Sequence, residues 1–266
     1  MVNLLVAAAL AAATPAAVPP SIQTDQPAMF VVRDADTTIY IFGTFHALDG
    51  KSQWLSGDIK DAFEKSDELV LETLVPEKPV EPTAFGPGFR PPSVTASASF
   101  LATTRMAISA GRAQGMQVDN GADMVLRHAA EAEGKPVEGL ETLQSQIDMF
   151  NRLPSGPAAS APRQAAQPAP GTPMDSLSKA MAEMQSAWKH GDQSVFARML
   201  SQLQTASPET YRMMFTERNA RWADWITARM QTPGTVFVAV GAGHLAGRDS
   251  LLVRLAEHGL PSQRIY

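Results

Sequence analysis

Two copies of one short device stand out in this sequence: Gly43-Thr44-Phe45-His46 and Gly241-Ala242-Gly243-His244. Each closes an apolar run of strand character, residues 39–42 and 236–240. Glycine lets a chain turn sharply at a strand end, through positive φ where needed, and the histidine three residues on is then displayed at the rim. Neutral imidazole is the commonest side-chain metal ligand and carries protons near neutral pH. Ligands of open α/β sheets sit beyond the carboxyl ends of the strands. Two such turns in a chain with five histidines therefore predict one shared metal or proton-transfer site. Taken singly, either histidine could do no more than cap its loop.

Glu72 ends a third short run, Leu69-Val70-Leu71. A carboxylate there must be exposed, paired or bound to a cation. With His46 and His244 it makes a two-histidine, one-carboxylate set that suits several divalent ions and leaves positions for water. It could instead take a proton from that water; a solvent-facing glutamate is the plainer alternative. Arg218 precedes Trp222 and Trp225 at helical spacing, so it shares a face with two large aromatics. Pointing inward, it needs an anionic or carbonyl partner and would stabilise an oxyanion or orient Glu72. Pointing outward, it would pack its stem on tryptophan and keep its head wet.

Glu141, after Gly139-Leu140, is a weaker candidate of the same kind as Glu72. His128, His190 and His258 fall within or at the ends of expected helices and receive no catalytic role. The methionines recur at helical spacings and read as packing rather than as a cofactor surface. The chain has no phosphate loop, Gly-x-Gly-x-x-Gly, Gly-x-Ser-x-Gly or His-Glu-x-x-His, so nucleotide, nicotinamide and serine-hydrolase chemistry lack support.

The elements that must position these groups follow from pattern. Residues 29–32 and 37–42 flank a polar turn and predict a β-hairpin running into the first glycine–histidine turn. Residues 56–65 carry Ile59, Ala62 and Phe63 at helical spacing. With the strand 69–71 they predict a βαβ unit and a parallel strand pair. A long irregular loop is expected over 76–99, helices over 98–111 and 122–134, a short strand near 137–141, and renewed helix through Met149 and Phe150. Residues 154–173 alternate proline and alanine with little apolar bulk, the composition of a flexible tether. Helices over 174–190, 194–204 and 208–231 precede a strand over 235–240, a helix over 250–258 and a last strand over 263–266.

Strands thus lie at both ends with helices between, so the late strand must complete the early sheet. The expected fold class is α/β, a central mixed sheet built from N- and C-terminal strands. It forms one domain over 25–266, interrupted by the tether and by a helical insertion over 174–231.

Hydrophobic residues make up 44% and charged residues 18% of the chain, an ordinary globular balance. A net charge of −5, with no basic run, argues against a nucleic-acid partner. With no cysteine, thiol catalysis, thiolate-bound zinc and disulfides drop out. Residues 1–20 read as an export signal: an apolar core followed by small residues suited to cleavage, although no Lys or Arg precedes it. No later run is apolar for long enough to span a membrane. The expected partner is a peptide or another small extracytoplasmic substrate, and the expected location is periplasmic or secreted.

In chain order, Phe42-Gly43-Thr44-Phe45-His46, Leu69-Val70-Leu71-Glu72, Gly139-Leu140-Glu141-Thr142, Glu217-Arg218-Asn219 and Val240-Gly241-Ala242-Gly243-His244-Leu245 resemble the motifs of the TraB/PrgY/GumN family, relatives of the Tiki metalloproteases. The resemblance runs over residues 29–266. It implies an α/β fold akin to the erythromycin-esterase-like superfamily, and metal-dependent hydrolysis centred on His46, His244 and Glu72, with the identity of the divalent ion left open. It also implies supporting roles for Arg218 and Glu141. The expectation is an exported metal-dependent hydrolase, a peptidase in the first instance. The alternatives are a metal-dependent esterase and a binding protein that sequesters a peptide or glycan without cleaving it. The tether and the loop around residues 85–92 depart from the compact family pattern and bear on substrate access.

Overall fold

The computed structural model describes residues 25–74, 109–154 and 173–265. The expected leader, the loop over 76–99, most of the helix over 98–111 and nearly all of the tether lie outside them. β1 (Met29–Arg33) and β2 (Thr37–Thr44) form the expected antiparallel hairpin. In its turn the Asp34 carboxylate accepts the N–H groups of Asp36 and Thr37, which holds the reversal without glycine. α1 (Gly57–Lys65) buries Ile59, Ala62 and Phe63 and leads to β3 (Glu68–Thr73).

Next come α2 (Ala122–Ala132), β4 (Val137–Glu141) and α3 (Leu143–Arg152), whose Thr142 hydroxyl accepts the Ser145 N–H as an N-cap. α4 (Pro173–Lys189) and α5 (Ser194–Ala206) precede one continuous helical stretch. That stretch is α6 (Pro208–Tyr211), a π-turn over Arg212–Thr216 and α7 (Glu217–Arg229). β5 (Gly234–Gly241), a 3-10 turn over Ala242–Leu245, α8 (Leu251–Glu257) and a two-residue β6 (Gln263–Arg264) follow. The last strand is shorter than the four residues expected.

Six strands form one mixed sheet in the order β4-β3-β5-β2-β1-β6, which makes the fold α/β. β2, β5, β3 and β4 run parallel; β1 pairs antiparallel with β2 and with the edge strand β6, so β1 alone is reversed. One expectation needs correction. β2 and β3 are parallel but are not a pair, because β5 inserts between them. Val236, Phe237, Val238 and Val240 are wholly buried, and an apolar run of that kind is most stable where both faces of the sheet are covered.

Alternation along the strands divides the core in two. Phe42, Leu69, Leu71 and Phe237 face a cluster that includes Trp54, Phe63 and Trp188. Ile39, Ile41, Val70, Val236, Val238 and Val240 face Trp222 and Ile226 of α7 and Leu251 and Leu255 of α8. Glu72 lies two residues beyond Val70, so the pleat turns it toward the α7 layer. Among the described residues no helix is long and apolar enough to cross a membrane.

Candidate active site

Thr44 pairs with Gly241 in the β2–β5 register, so both glycine–histidine turns leave adjacent parallel strands at one level. His46, Glu72, Arg218 and His244 line a single cavity of about 600 Å³. The two glycines do not serve the purpose expected of them. Gly43 continues β2 and Gly241 has φ −52°, so neither uses positive φ. What both require is closeness. A Cβ on Gly43 would lie 3.3 Å from the Ala242 backbone, and one on Gly241 would lie 3.2 Å from Glu72 Oε1 and 3.4 Å from His46 Nε2.

Arg218 is the hub. α7 buries Arg218, Asn219, Trp222, Ala223 and Ile226, the stripe that 3.6-residue periodicity allows one helix face. The guanidinium head is therefore inside, and the wet-head alternative does not hold. Its Nη2 donates to Glu72 Oε2 at 2.6 Å and also to Glu141 Oε1, while Nε donates to Glu141 Oε2 at 3.2 Å. Nη1 reaches His244 Nε2 at 3.3 Å, and the plane lies over the Trp222 ring with 4.5 Å to its centroid. Trp225 is only partly buried and packs farther along the α7–α8 layer. Glu141 is absent from the cavity lining; it grips Arg218 from behind.

His244 is buried between Phe215 and Trp222, with ring centroids 4.9 and 4.5 Å away. Its Nδ1 lies 2.7 Å from Asn219 Oδ1. The Asn219 amide is oriented by its own donation to the Asp249 carbonyl. Nδ1 therefore carries the proton, and Nε2 offers a lone pair toward Arg218. Burial pushes the His244 pKa down to about 3, with Glu72 opposing and Arg218 and His46 adding to the fall; the ring is neutral.

His46 is different. Its ring opens to the cavity, and Nδ1 meets Asp123 Oδ2 at 3.1 Å. Desolvation works against its charge, but Asp123, aided by Glu72, outweighs that and lifts the pKa to about 9.

Glu72 Oε1 accepts the Gly241 N–H at 2.6 Å. Burial pushes its pKa up, but the fields of His244, Arg218 and His46 and the Gly241 N–H bring it from 4.5 down to about 2. A carboxyl depressed in the folded state stabilises the protein above its unfolded pKa, and that contribution fades as pH falls through the folded value. Metal-free protein should accordingly lose about 3 kcal/mol from this group between pH 4.5 and 2. The Glu72→Gln variant should show a flatter loss over that window in urea titrations; parallel curves would contradict the assignment.

Sequence reasoning missed two partners, Asp123 and Asn219. Asn219 stands beside Arg218 in the chain and only its neighbour drew attention. Asp123 opens α2, and nothing in its spacing ties it to His46. Gly121, just before α2, would place a Cβ 2.4 Å from the His46 carbonyl oxygen. Ala122 N–H also donates to Phe45 O, so the turn and the helix start are in direct contact. Gly121→Ala should therefore cost about 2 kcal/mol or more in urea unfolding, at the upper end of overpacking effects, although φ −56° suits alanine.

His128, His190 and His258 are absent from the cavity lining, whereas five methionines line it. Met116, Met181, Met184, Met199 and Met214 line this cavity, while Met29, Met149, Met213 and Met230 are buried packing as expected.

The TraB/PrgY/gumN family model matches residues 28–86 and 91–264. YbaP of Escherichia coli K12 and YbaP of Shigella flexneri, both described as uncharacterized, are each 30% identical over 148 residues. That stretch is 55% of this chain and 52% of each relative, so the match spans about half the length of either. No solved structure matches. With the family model covering nearly all of the sheet and every residue of the Arg218-centred site, this chain belongs to the TraB/PrgY/gumN family.

Proposed function

We propose that this cavity is the active site of an exported hydrolase, periplasmic or secreted, that activates water at a rim formed by His46, Glu72 and His244. Peptides are its first substrate class, and the fold is read as kin to the erythromycin-esterase-like superfamily. The supporting observation is the convergence on Gly241 of His46 Nε2, Glu72 Oε1 and the His244 ring, delivered by three different strands.

The residues suit a divalent cation in kind and in charge. Glu72, Glu141 and Asp123 set three carboxylates against the Arg218 guanidinium and the His46 imidazolium, a net negative charge that favours a cation able to displace the His46 proton. As they stand, however, no three histidine or carboxylate side chains among the described residues are placed together to hold a metal ion. His46, Glu72 and His244 would hold the ion, and His244 Nε2 would have to exchange its 3.3 Å contact with Arg218 for it. A bound ion would lower the pKa of a coordinated water and polarise the scissile carbonyl.

The protein's own groups do the rest. Arg218 spends its five N–H donors on Glu72, Glu141, His244 and the Met214 carbonyl, so of the two roles expected of it orienting Glu72 fits better than meeting an oxyanion. Glu141 orients Arg218, Asn219 fixes the His244 tautomer, and Asp123 orients His46, as supporting partners of ligand histidines do.

The test is elemental analysis of purified protein beside the His46→Ala/His244→Ala double variant, with hydrolysis of peptide and ester libraries before and after chelation. Metal retained by the wild type alone, with chelator-sensitive peptide cleavage, is the expected result. Equal metal in both proteins after supplementation would overturn the metal assignment. Binding without product would mean a sequestering protein, and ester-only cleavage an esterase.

A further inference from the structure

His46 and Glu72 stand in a wall between two cavities of opposite character. The larger, about 600 Å³, carries five methionines and four phenylalanines. The smaller, about 310 Å³, shares Thr44, His46, Glu72, Val118 and Gln146 with it, and polar residues supply seven of its eleven lining positions. Three buried polar atoms among those lining residues, Thr44 Oγ1, Thr73 Oγ1 and Asp123 Oδ1, have no hydrogen-bond partner among the described residues. Thr44 is 2% exposed. Buried polar atoms left unpaired are costly and normally find a partner, so this cluster beside a cavity points to a ligand that brings its own donors. Methionine walls accept flexible apolar groups of varied shape, and the larger volume suits a ligand of small-molecule size.

We propose that the site takes amphiphilic acyl compounds. An apolar acyl or side-chain group fills the methionine cavity, a hydroxyl- or amine-bearing group fills the polar one, and the joining carbonyl lies at the His46–Glu72 wall. The cleavage half of this proposal rests on the hydrolase reading; the binding half does not. In cleavage a water oxygen bonds to the carbonyl carbon and the C–N or C–O bond breaks. The apolar acid is released on one side, and the amine or alcohol takes up a water proton on the other.

The test is calorimetric binding to the full-length protein in chelator, where turnover does not interfere. The three probes are N-octanoylethanolamine, N-propyloctanamide (no hydroxyl) and N-acetylethanolamine (no chain). N-octanoylethanolamine should bind at least tenfold tighter than the acetyl compound and about fivefold tighter than the propylamide, the net worth of one hydrogen bond. Met184→Gln should shrink the first ratio and leave the second; Thr73→Val should do the reverse. Equal affinities for the three probes, or no binding by any, overturns the proposal. Both ratios present with no release of octanoate from metal-supplemented protein supports the two subsites and sinks the hydrolase reading alone.

Discussion

Replacing Arg218 with methionine should destabilise the fold by about 3–5 kcal/mol, the cost of leaving buried charges without their partner. The Arg218 side chain is 5% exposed and holds Glu72 and Glu141, themselves only 13% and 8% exposed, across the carboxyl ends of β3 and β4. Methionine matches the length of the stem and can still lie on Trp222, so packing changes little. What is lost is the buried cation shared by two carboxylates, which the exposed Arg221, 3.9 Å from Glu141, replaces only in small part. Arg218→Lys should recover only part, because an ammonium is a point charge and cannot serve both carboxylates with a planar fork. Arg218→Met combined with Glu141→Gln should be more stable than Arg218→Met alone, since one orphaned charge is gone. Urea unfolding of the four proteins in chelator measures this. A loss under 1 kcal/mol for Arg218→Met, or no recovery in the double variant, would show that the triad carries little of the stability.

How far the site was legible in the sequence depends on the range of each signal. The glycine–histidine turns were readable because strand, glycine and histidine are contiguous, and adjacency in the sheet then brings the two turns level. Glu72 and Glu141 were readable as charges at the ends of apolar runs. Arg218 declared itself by its spacing to Trp222, and the helix periodicity that buries the tryptophan must bury the arginine too.

The rest is tertiary. No local pattern places β5 between β2 and β3; that position follows from the complete burial of Val236–Val240 relative to the other strands. Asp123 reads as an ordinary acidic residue in a helix's first turn, favourable to the helix dipole on its own. Only the contact between Gly121 and the His46 carbonyl brings it under the imidazole. That five of the methionines share one cavity wall was hidden for a related reason. Met181 and Met184 on α4, Met199 on α5 and Met214 in the π-turn each sit at helical spacing, and their common cavity exists only once those segments pack. The π-turn adds a residue to the helical stretch just before Arg218 and puts Met214 and Phe215 on the cavity wall. Such bulges recur at functional sites and have no simple sequence signature.

His46 should be the position where chemistry and stability separate most widely. Its ring is largely solvent-accessible within the cavity, so His46→Ala removes little buried surface and, measured above pH 9 where no imidazolium is lost, should change unfolding by less than about 1 kcal/mol. On the reading proposed here the same change removes a ligand or proton carrier at the reacting atoms, and kcat/KM should fall by about 10²–10⁴. Asp123→Asn is the more discriminating variant. It keeps the shape of the contact to Nδ1 but removes the charge, and outer partners of this kind are worth about 10–100-fold. In metal-free protein an NMR titration of His46 should have its midpoint near 9, and in Asp123→Asn it should move toward 6.5, the ordinary histidine value. The direction follows from the sign of the interaction: a carboxylate stabilises imidazolium, so neutralising it releases the proton at lower pH. A residue that merely capped its loop would show the titration shift and no loss of turnover. A residue that acts on substrate shows both, and the double variant His46→Ala/Asp123→Asn should then be no worse than His46→Ala alone, because Asp123 has nothing left to orient.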